Sequence, residues 1–410
     1  MRILVLTAYY EPEIAASMYL FTNLFEDLSN YGHTVTIITP TPSRGLTNSM
    51  RKIYKNKKKE VLFNGKLIID RFTMYREGKG IINRTFRYLC INIITFFKAM
   101  RVKADVIFTP STPPTQGALA CIIKKFKKIP VIYNLQDIFP DSMVNAGLIK
   151  TNSFLWKIGV KIENYSYKKS DKIITISKGF EENLLKKGVS PQKICIIENW
   201  VDENMVVPIL REKNELFDKY NLDKKKFYIA YSGNIGLSQN LEMLIDIAEE
   251  LKDIQDIVFV VIGDGVFKNT LIDMVSRKQL SNFLILPFQD YEYISHVFSL
   301  ADIGIVMSKK GIGSNSVPSK TWSIMSASRP IVASFDIDSD LNNIINEAEC
   351  GFCIPAENKY LFKQKLLYLY NHNVLLNKLG ENGRKYILKN LTREQGIKKY
   401  IDIFELFNID

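Results

Sequence analysis

The sequence predicts an α/β protein of two Rossmann-like domains, whose parallel sheets face a central cleft. Three observations lead there. The chain has 410 residues, more than one ordinary core accommodates. Short apolar, β-branched runs alternate with helical patterns in two successive series, the signature of buried parallel strands. A polar segment, Arg211–Lys226, separates the two series.

Arg2–Thr7 opens the first series. A Pro-containing loop and a helical pattern through Leu28 follow, and Gly32–His33 turns the chain into Thr34–Thr39. This β-loop-α-β unit begins a doubly wound sheet. Ala104–Thr109, Val131–Leu135, Lys172–Ser177 and Lys193–Glu198 continue it. The second series runs Phe227–Ser232, Ile257–Ile262, Phe283–Pro287, Asp302–Met307 and Pro330–Ser334. The expected domains are residues 1–204 and 205–390. A terminal helix over 391–410 returns to the first domain, with Thr392 and Gln395 spaced as a capping box.

Hydrophobic residues make up 46% and charged residues 24%, a folded rather than disordered balance. The net charge of +12 is uneven. Residues 1–205 hold 31 Lys/Arg against 17 Asp/Glu, and 44–103 alone hold 16 against 3. That segment suits anionic lipid, a phosphorylated substrate or nucleic acid, or is a solvated Lys-rich surface. Thr85–Val102 reads as amphipathic, a helix able to lie in a membrane interface or to pack within the domain. The 5 cysteines make no disulfide framework, and Cys350-x-x-Cys353 lacks the neighbours of a zinc site. With no export signal and no run of 18 apolar residues, a cytoplasmic protein is expected.

Ligands of open α/β sheets bind beyond the strand C-termini, so the loops there carry the chemistry. Ser232-Gly233-Asn234-Ile235-Gly236 is either a phosphate-binding turn at a helix start or a tight strand–helix turn. In Gly263-Asp264-Gly265, Asp264 either holds a ribose hydroxyl or caps the next helix. Pro287-Phe288 either seats a base or anchors its loop in the core. The segment Lys309 to Lys320 places small residues and lysines before a helix starting near Ser319, and is either an arrangement suited to a diphosphate or a flexible surface loop. In the first domain, Asp137 and Asp141 are either an acid/base pair or structural and capping residues.

Taken in order, several segments resemble retaining glycosyltransferase family 4, which has the GT-B fold. They are Asp137-Ile138-Phe139-Pro140-Asp141-Ser142, Glu198-Asn199-Trp200-Val201-Asp202, Tyr231-Ser232-Gly233-Asn234-Ile235-Gly236, Ile262-Gly263-Asp264-Gly265 and Val317-Pro318-Ser319-Lys320. More narrowly, the chain is similar to the bacterial branch proposed to transfer N-acetyl-L-fucosamine in O-antigen and capsule synthesis. The resemblance implies an acceptor-binding first domain and a nucleotide-sugar-binding second domain. It implies retaining, metal-independent transfer from a UDP-sugar, with no cofactor beyond that co-substrate. The implied acceptor is a polyprenyl-diphosphate-linked saccharide, and the place is the anionic cytoplasmic face of the inner membrane.

Carried over position by position, the resemblance makes Lys320, Asp137 and Asn234 catalytic. It places the nucleotide sugar on Gly233, Gly236, Gln239, Gly263, Asp264, Gly265, Pro287, Phe288, Asn315, Ser316, Ser319 and Ser323. The chain departs from the family at several of these. The family's E-x7-E pair is Asn315 and Ser323 here, and its Arg and Lys near the diphosphate are Asn234 and Gln239. Its glycine pair after the first strand is Ala15-Ala16. Lys320 is then the motif cation left to stabilise the leaving diphosphate. Two rival readings remain: a nucleotide-sugar 2-epimerase of the same architecture, and a charge-driven nucleic-acid-binding protein.

Overall fold

A computed structural model describes residues 1–13, 18–44, 46–78, 80–145, 149–311 and 317–408. The chain divides into two compact units, Met1–Asn199 with Glu394–Asp410, and Trp200–Arg393.

The sheet of the first unit has strands β1 (Arg2–Leu6), β2 (Thr34–Pro40), β3 (Lys59–Leu62), β4 (Leu67–Phe72), β5 (Val106–Pro110), β6 (Val131–Leu135), β7 (Lys172–Thr175) and β8 (Ile194–Ile196). Their order is β3-β4-β2-β1-β5-β6-β7-β8, parallel except for β3, which lies antiparallel on β4 at the edge. Its helices are α1 (Met18–Asn30), α2 (Asn48–Asn56), α3 (Ile81–Arg101), α4 (Gln116–Lys127), α5 (Asp141–Asn145), α6 (Phe154–Lys169) and α7 (Lys178–Lys186). The central strands are apolar without alternation because both faces are covered. On one face α1 buries Leu20, Phe21, Leu24, Phe25 and Leu28 at helical spacing. The Phe25 ring meets Phe108 of β5 edge-on at 5.8 Å. The C-terminal helix Arg393–Glu405 packs here too, with Phe404 5.8 Å from Phe108. Asn134 donates to the Tyr400 hydroxyl at 2.6 Å.

The sequence reading passed over β3 and β4. They lie inside the basic segment, and Asp70 and Arg71 interrupt the apolar pattern of β4. That segment is not one positive face, because several of its cations are used internally. Arg71 is buried against Glu60 and donates to the Glu11 carbonyl at 2.7 Å. Arg87 is fully buried, Arg44 pairs with Glu77, and Lys98 pairs with Asp70 at 2.7 Å.

The second unit has strands β9 (Phe227–Asn234), β10 (Ile257–Asp264), β11 (Phe283–Leu286), β12 (Ile303–Met307), β13 (Ile331–Phe335) and β14 (Gly351–Pro355), in the order β11-β10-β9-β12-β13-β14 and all parallel. Its helices are α8 (Glu215–Lys219), α9 (Leu241–Glu250), α10 (Lys268–Arg277), α11 (Ile294–Ser299), α12 (Lys320–Ser326), α13 (Asp340–Glu347), α14 (Lys359–Tyr370) and α15 (Asn373–Asn390). This order is that of two mononucleotide-binding halves joined at β9 and β12. The junction between units falls at Asn199/Trp200, ahead of the expected 204/205. Val201 and Val206 are already core residues of the second unit, packed with Trp322, Ile324 and Met325, and that burial moves the boundary.

Candidate functional site

The C-terminal ends of β9 and β12 are unpaired with each other. β9 and β10 stay paired to their last residues, Gly233 opposite Gly263 and Asn234 opposite Asp264. β9 and β12 share only Ile229–Ile303 and Ala230–Gly304. Beyond these pairs the strands part, and their loops meet again where the Lys309 amide donates to the Ser238 carbonyl at 2.8 Å. This is the switch point of the sheet, where open α/β folds hold ligands.

Lys320, the first residue of α12, reaches into this region. Trp322, Ile324 and Met325 bury α12 in the core and so fix where the lysine starts. Its ammonium lies 3.6 Å from the centre of the Tyr231 ring. A Cβ added to Gly233 would fall 3.1 Å from the Lys320 Nζ, so the glycine leaves the room the ammonium uses. Tyr231 is fully buried, and its hydroxyl donates to the Asn234 carbonyl at 2.7 Å. Among the described residues no carboxylate pairs with Lys320, and burial lowers its pKa to about 7. A cation held with a ring beneath it and no counter-ion is suited to receive an anion.

The glycines make room for neighbouring chain at this edge. A Cβ at Gly263 would fall 1.9 Å from the Gly233 carbonyl oxygen, and one at Gly265 2.3 Å from that of Ile235. A Cβ at Gly236 would meet Asn234 Nδ2 at 2.7 Å and Gln239 Oε1 at 2.6 Å. The loops after β9 and β10 are thus interlocked. Gln239 Oε1 is buried without a partner among the described residues and would accept a hydrogen bond from a ligand hydroxyl. Asp264 does not cap α10, whose N-cap is Phe267; its Oδ1 instead accepts from the Gly265 amide at 2.9 Å. Pro287 and Phe288 follow β11 at the same sheet edge. Phe288 is 62% exposed and is no core anchor; buried Gln289 holds that loop, donating to the Pro287 carbonyl at 2.6 Å. Ser319 is exposed just before α12, and Ser323 is half-buried one turn along it. Asn315 and Ser316, like Ala15 and Ala16, lie outside the described residues.

Asp137 belongs to the first unit, in the loop after β6. It touches solvent, while the protein packed around it pushes its carboxyl up to about 6. Asp141 is engaged elsewhere, paired with Lys187 at 3.0 Å and accepting from Asn183 at 3.2 Å. The suggested acid/base pair therefore reduces to Asp137 alone.

Sequence reasoning missed two features. Tyr231 stands in a motif that gives it no role of its own, although strand alternation puts it on the same face as Gly233. The other is a polar cluster at the C-terminal edge of the first sheet. The Tyr9 hydroxyl donates to Glu77 at 2.9 Å, meets the Tyr88 hydroxyl at 2.9 Å and accepts from Arg44 at 2.8 Å. Burial raises the Glu77 carboxyl, but Arg44, Tyr9 and Arg84 outweigh it and hold the pKa below its ordinary value. These residues come from three separate loops and from α3, so no local spacing announces them.

Among the described residues, no three His, Cys, Asp or Glu side chains gather as metal ligands, and no helix is long and apolar enough to cross a membrane. Residues 20–204 match the family model described as glycosyltransferase family 4, and residues 212–386 that described as glycosyl transferases group 1. The Escherichia coli K12 protein WcaI, named provisionally as a colanic acid biosynthesis glycosyl transferase, is 24% identical over 415 residues, 98% of this chain and 99% of its own. Alpha-monoglucosyldiacylglycerol synthase of Acholeplasma laidlawii is 22% identical over 431 residues, covering 100% of this chain and 98% of its own. The crystal structure of Anabaena Alr3699/HepE in complex with UDP aligns at a TM-score of 0.74 and 12% identity, over 99% of this chain and 100% of that one, a likeness of fold.

Proposed function

Because the chain belongs to the GT-B glycosyltransferases, a family 4 part followed by a group 1 part, we propose that it moves a sugar from a UDP-sugar to a lipid-linked saccharide, with retention of configuration. The observation that carries this reading is the Lys320 ammonium, set over Tyr231 at the switch point with no carboxylate partner among the described residues. Breaking a sugar–phosphate bond leaves negative charge on the nucleoside diphosphate. In this reading Lys320 receives that charge in place of a metal ion, and the loop 233–236 lies against the phosphates. The leaving phosphate oxygen takes the acceptor proton on the face where the new bond forms, so no side-chain nucleophile is needed. Asn234 and Gln239 orient the donor, Asp264 meets the ribose, and the base sits over Pro287 and Phe288. Ser319 stands by the diphosphate, with Asn315, Ser316 and Ser323 toward the sugar. Asp137 acts on the acceptor side.

UDP in the HepE crystal supports a uridine nucleotide. The diacylglycerol named in the Acholeplasma enzyme, and the colanic acid biosynthesis named for WcaI, support an acceptor carried by lipid in surface polysaccharide synthesis. The donor proposed is UDP-N-acetyl-L-fucosamine or a related N-acetylated amino sugar, and the place of work the anionic cytoplasmic face of the inner membrane. A panel of nucleotide sugars tests the reading, by hydrolysis and by thermal stabilisation. A donor held at about 100 times its Kd should add about 2.7 kcal/mol of stability. If no uridine nucleotide stabilises the protein, the reading fails.

A further inference from the structure

Three helices of the first unit present an outer surface that the chemistry above leaves unused. α3, α4 and α6 form one layer, α3 packed against α4 and α4 against α6. Their inner faces cover the sheet; their outer faces carry large apolar side chains in water. On α3, Phe86, Leu89, Ile93 and Phe97 follow one stripe and are 51–60% exposed. On α4 Phe126 is 60% exposed, and at the start of α6 Phe154 is 76% exposed. The stripe is continuous from α3 to α4, because the Phe96 ring touches Phe97 at 5.5 Å and Phe126 at 5.6 Å.

The charge on these helices is one-sided. Across α3, α4 and α6 there are 11 Lys and Arg residues and a single carboxylate, Glu163. Glu163 is buried, hydrogen-bonded by Tyr167 at 2.6 Å and Lys187 at 2.9 Å. No acidic side chain therefore faces outward from the layer, while Arg101, Lys125 and Lys157 are exposed beside the apolar stripe.

We infer that this outer face docks on an anionic lipid bilayer. Aromatic and aliphatic side chains ringed by cations match the boundary between acyl chains and anionic headgroups. A second copy of the chain fits worse, since a two-fold contact would set cations against cations. The exposed phenylalanines would also stack on bases, but Leu89 and Ile93 within the same stripe offer bases nothing and suit acyl chains, and the DNA arm of the test below separates the two. The docking surface is thus the layer α3–α4–α6, which takes from the basic segment 44–103 only its helix α3; several other cations of that segment are paired within the unit. The inference rests on the proposed function in one respect, that the acceptor is carried by lipid.

Vesicle flotation tests it, using phosphatidylcholine with and without phosphatidylglycerol, at low and high salt. Wild-type protein should float with the anionic vesicles and bind them at least about tenfold more tightly than neutral ones, with salt weakening the difference. Phe97→Ser with Phe126→Ser should lose at least about tenfold in binding, and Lys125→Glu with Lys157→Glu should lose the preference for anionic lipid. Melting temperature and stabilisation by UDP, measured on the same samples, should stay at wild-type values because these side chains are exposed. The inference is overturned if wild-type protein floats with neither vesicle, or if the phenylalanine variant floats like wild type. It is also overturned if that variant instead changes the oligomeric state by light scattering, or salt-sensitive binding to single-stranded DNA. Vesicle binding without stabilisation by UDP leaves the surface standing and removes the donor reading.

Discussion

The Lys320 ammonium stacks 3.6 Å above the centre of the Tyr231 ring, in space that the missing side chain of Gly233 leaves open. The two residues belong to different elements, α12 and β9, so the contact ties the helix start to the strand end at the switch point. The Tyr231 hydroxyl holds the Asn234 carbonyl from below, which makes one buried ring the support for both a cation and a loop. In the proposed reaction that support keeps the cation in place before charge develops, so little reorganisation is needed as the bond breaks.

Lys320→Ala should therefore lower kcat by about 10²–10³, the usual cost of removing one preorganised stabiliser. Melting temperature should change little, because the lysine heads its helix and makes no ion pair among the described residues. Lys320→Arg should not restore the rate, since a planar fork cannot use a slot shaped for a compact ammonium. Steady-state kinetics with thermal melts of both variants check this. A near-wild-type kcat in Lys320→Ala would hand the role to Lys309 or Lys310.

Tyr231 separates ring from hydroxyl. Tyr231→Phe keeps the surface under the ammonium and loses only the bond to Asn234, so kcat should fall less than in Tyr231→Leu. Loss of the cation–π contact is worth about 0.5–2 kcal/mol, roughly 2- to 30-fold in rate. Equal losses in the two variants, or losses matched by a fall in stability alone, would argue that the ring serves only the core.

The interlocked loops predict a folding effect at Gly263. An added methyl would lie 1.9 Å from the Gly233 carbonyl oxygen, and backbone cannot yield as a flexible side chain would. Overpacking of this kind costs about 1–3 kcal/mol. At roughly 2–4 °C per kcal/mol for a unit of this size, Gly263→Ala should lower the melting temperature by several degrees. Calorimetry of the variant reads this directly, and an unchanged transition would mean the loops are looser than the contact implies.

Much of the architecture was legible because buried parallel strands must be apolar on both faces. The apolar run Val131–Leu135 coincides with β6, and the runs Phe227–Ser232 and Ile257–Ile262 fall short of β9 and β10 only where the strands continue into their glycine loops. β3 and β4 were not legible, since an edge hairpin with one polar side reads as a basic loop. At the site, the loops after β9 and β10 and the start of α12 were visible as motifs. The partnership of Lys320 with Tyr231 was not, because it depends on how α12 packs on β12. Gly304 sets that packing: an added Cβ there would sit 2.5 Å from Ile324. Phe288 was ambiguous in sequence, and only its exposure decides that it is free to meet a ligand.

Turnover should survive chelation. If Lys320 carries the leaving-group charge, excess EDTA should leave kcat unchanged, and added Mn²⁺ or Mg²⁺ should not raise it. An activity lost to EDTA and recovered with either ion would move the diphosphate's counter-charge from Lys320 to a metal.

Donor affinity should depend on pH through the same lysine. Burial disfavours its charged form and brings the free protein's pKa down to about 7. A bound diphosphate favours the charged form, so the pKa in the complex is higher than in the free protein. Below about 7 the lysine is already protonated and affinity should be flat with pH. Above about 7 the protein must take up a proton to bind, so Kd should rise toward a limit of about tenfold per pH unit, until the pKa of the complex is passed. The secondary phosphate of UDP ionises near 6 and adds little to this window. Folding follows the same logic with the unfolded lysine as reference. The unfolded chain binds more protons between about 7 and the ordinary lysine pKa of about 10.4, so this group's contribution to stability rises with pH across that interval. Titration calorimetry of UDP binding at pH 8, in buffers of different ionisation enthalpy, should register close to one proton taken up per complex. Lys320→Met should register none and bind UDP with the same affinity at pH 7 and pH 9. Proton uptake that persists in Lys320→Met would assign the titrating group to another residue.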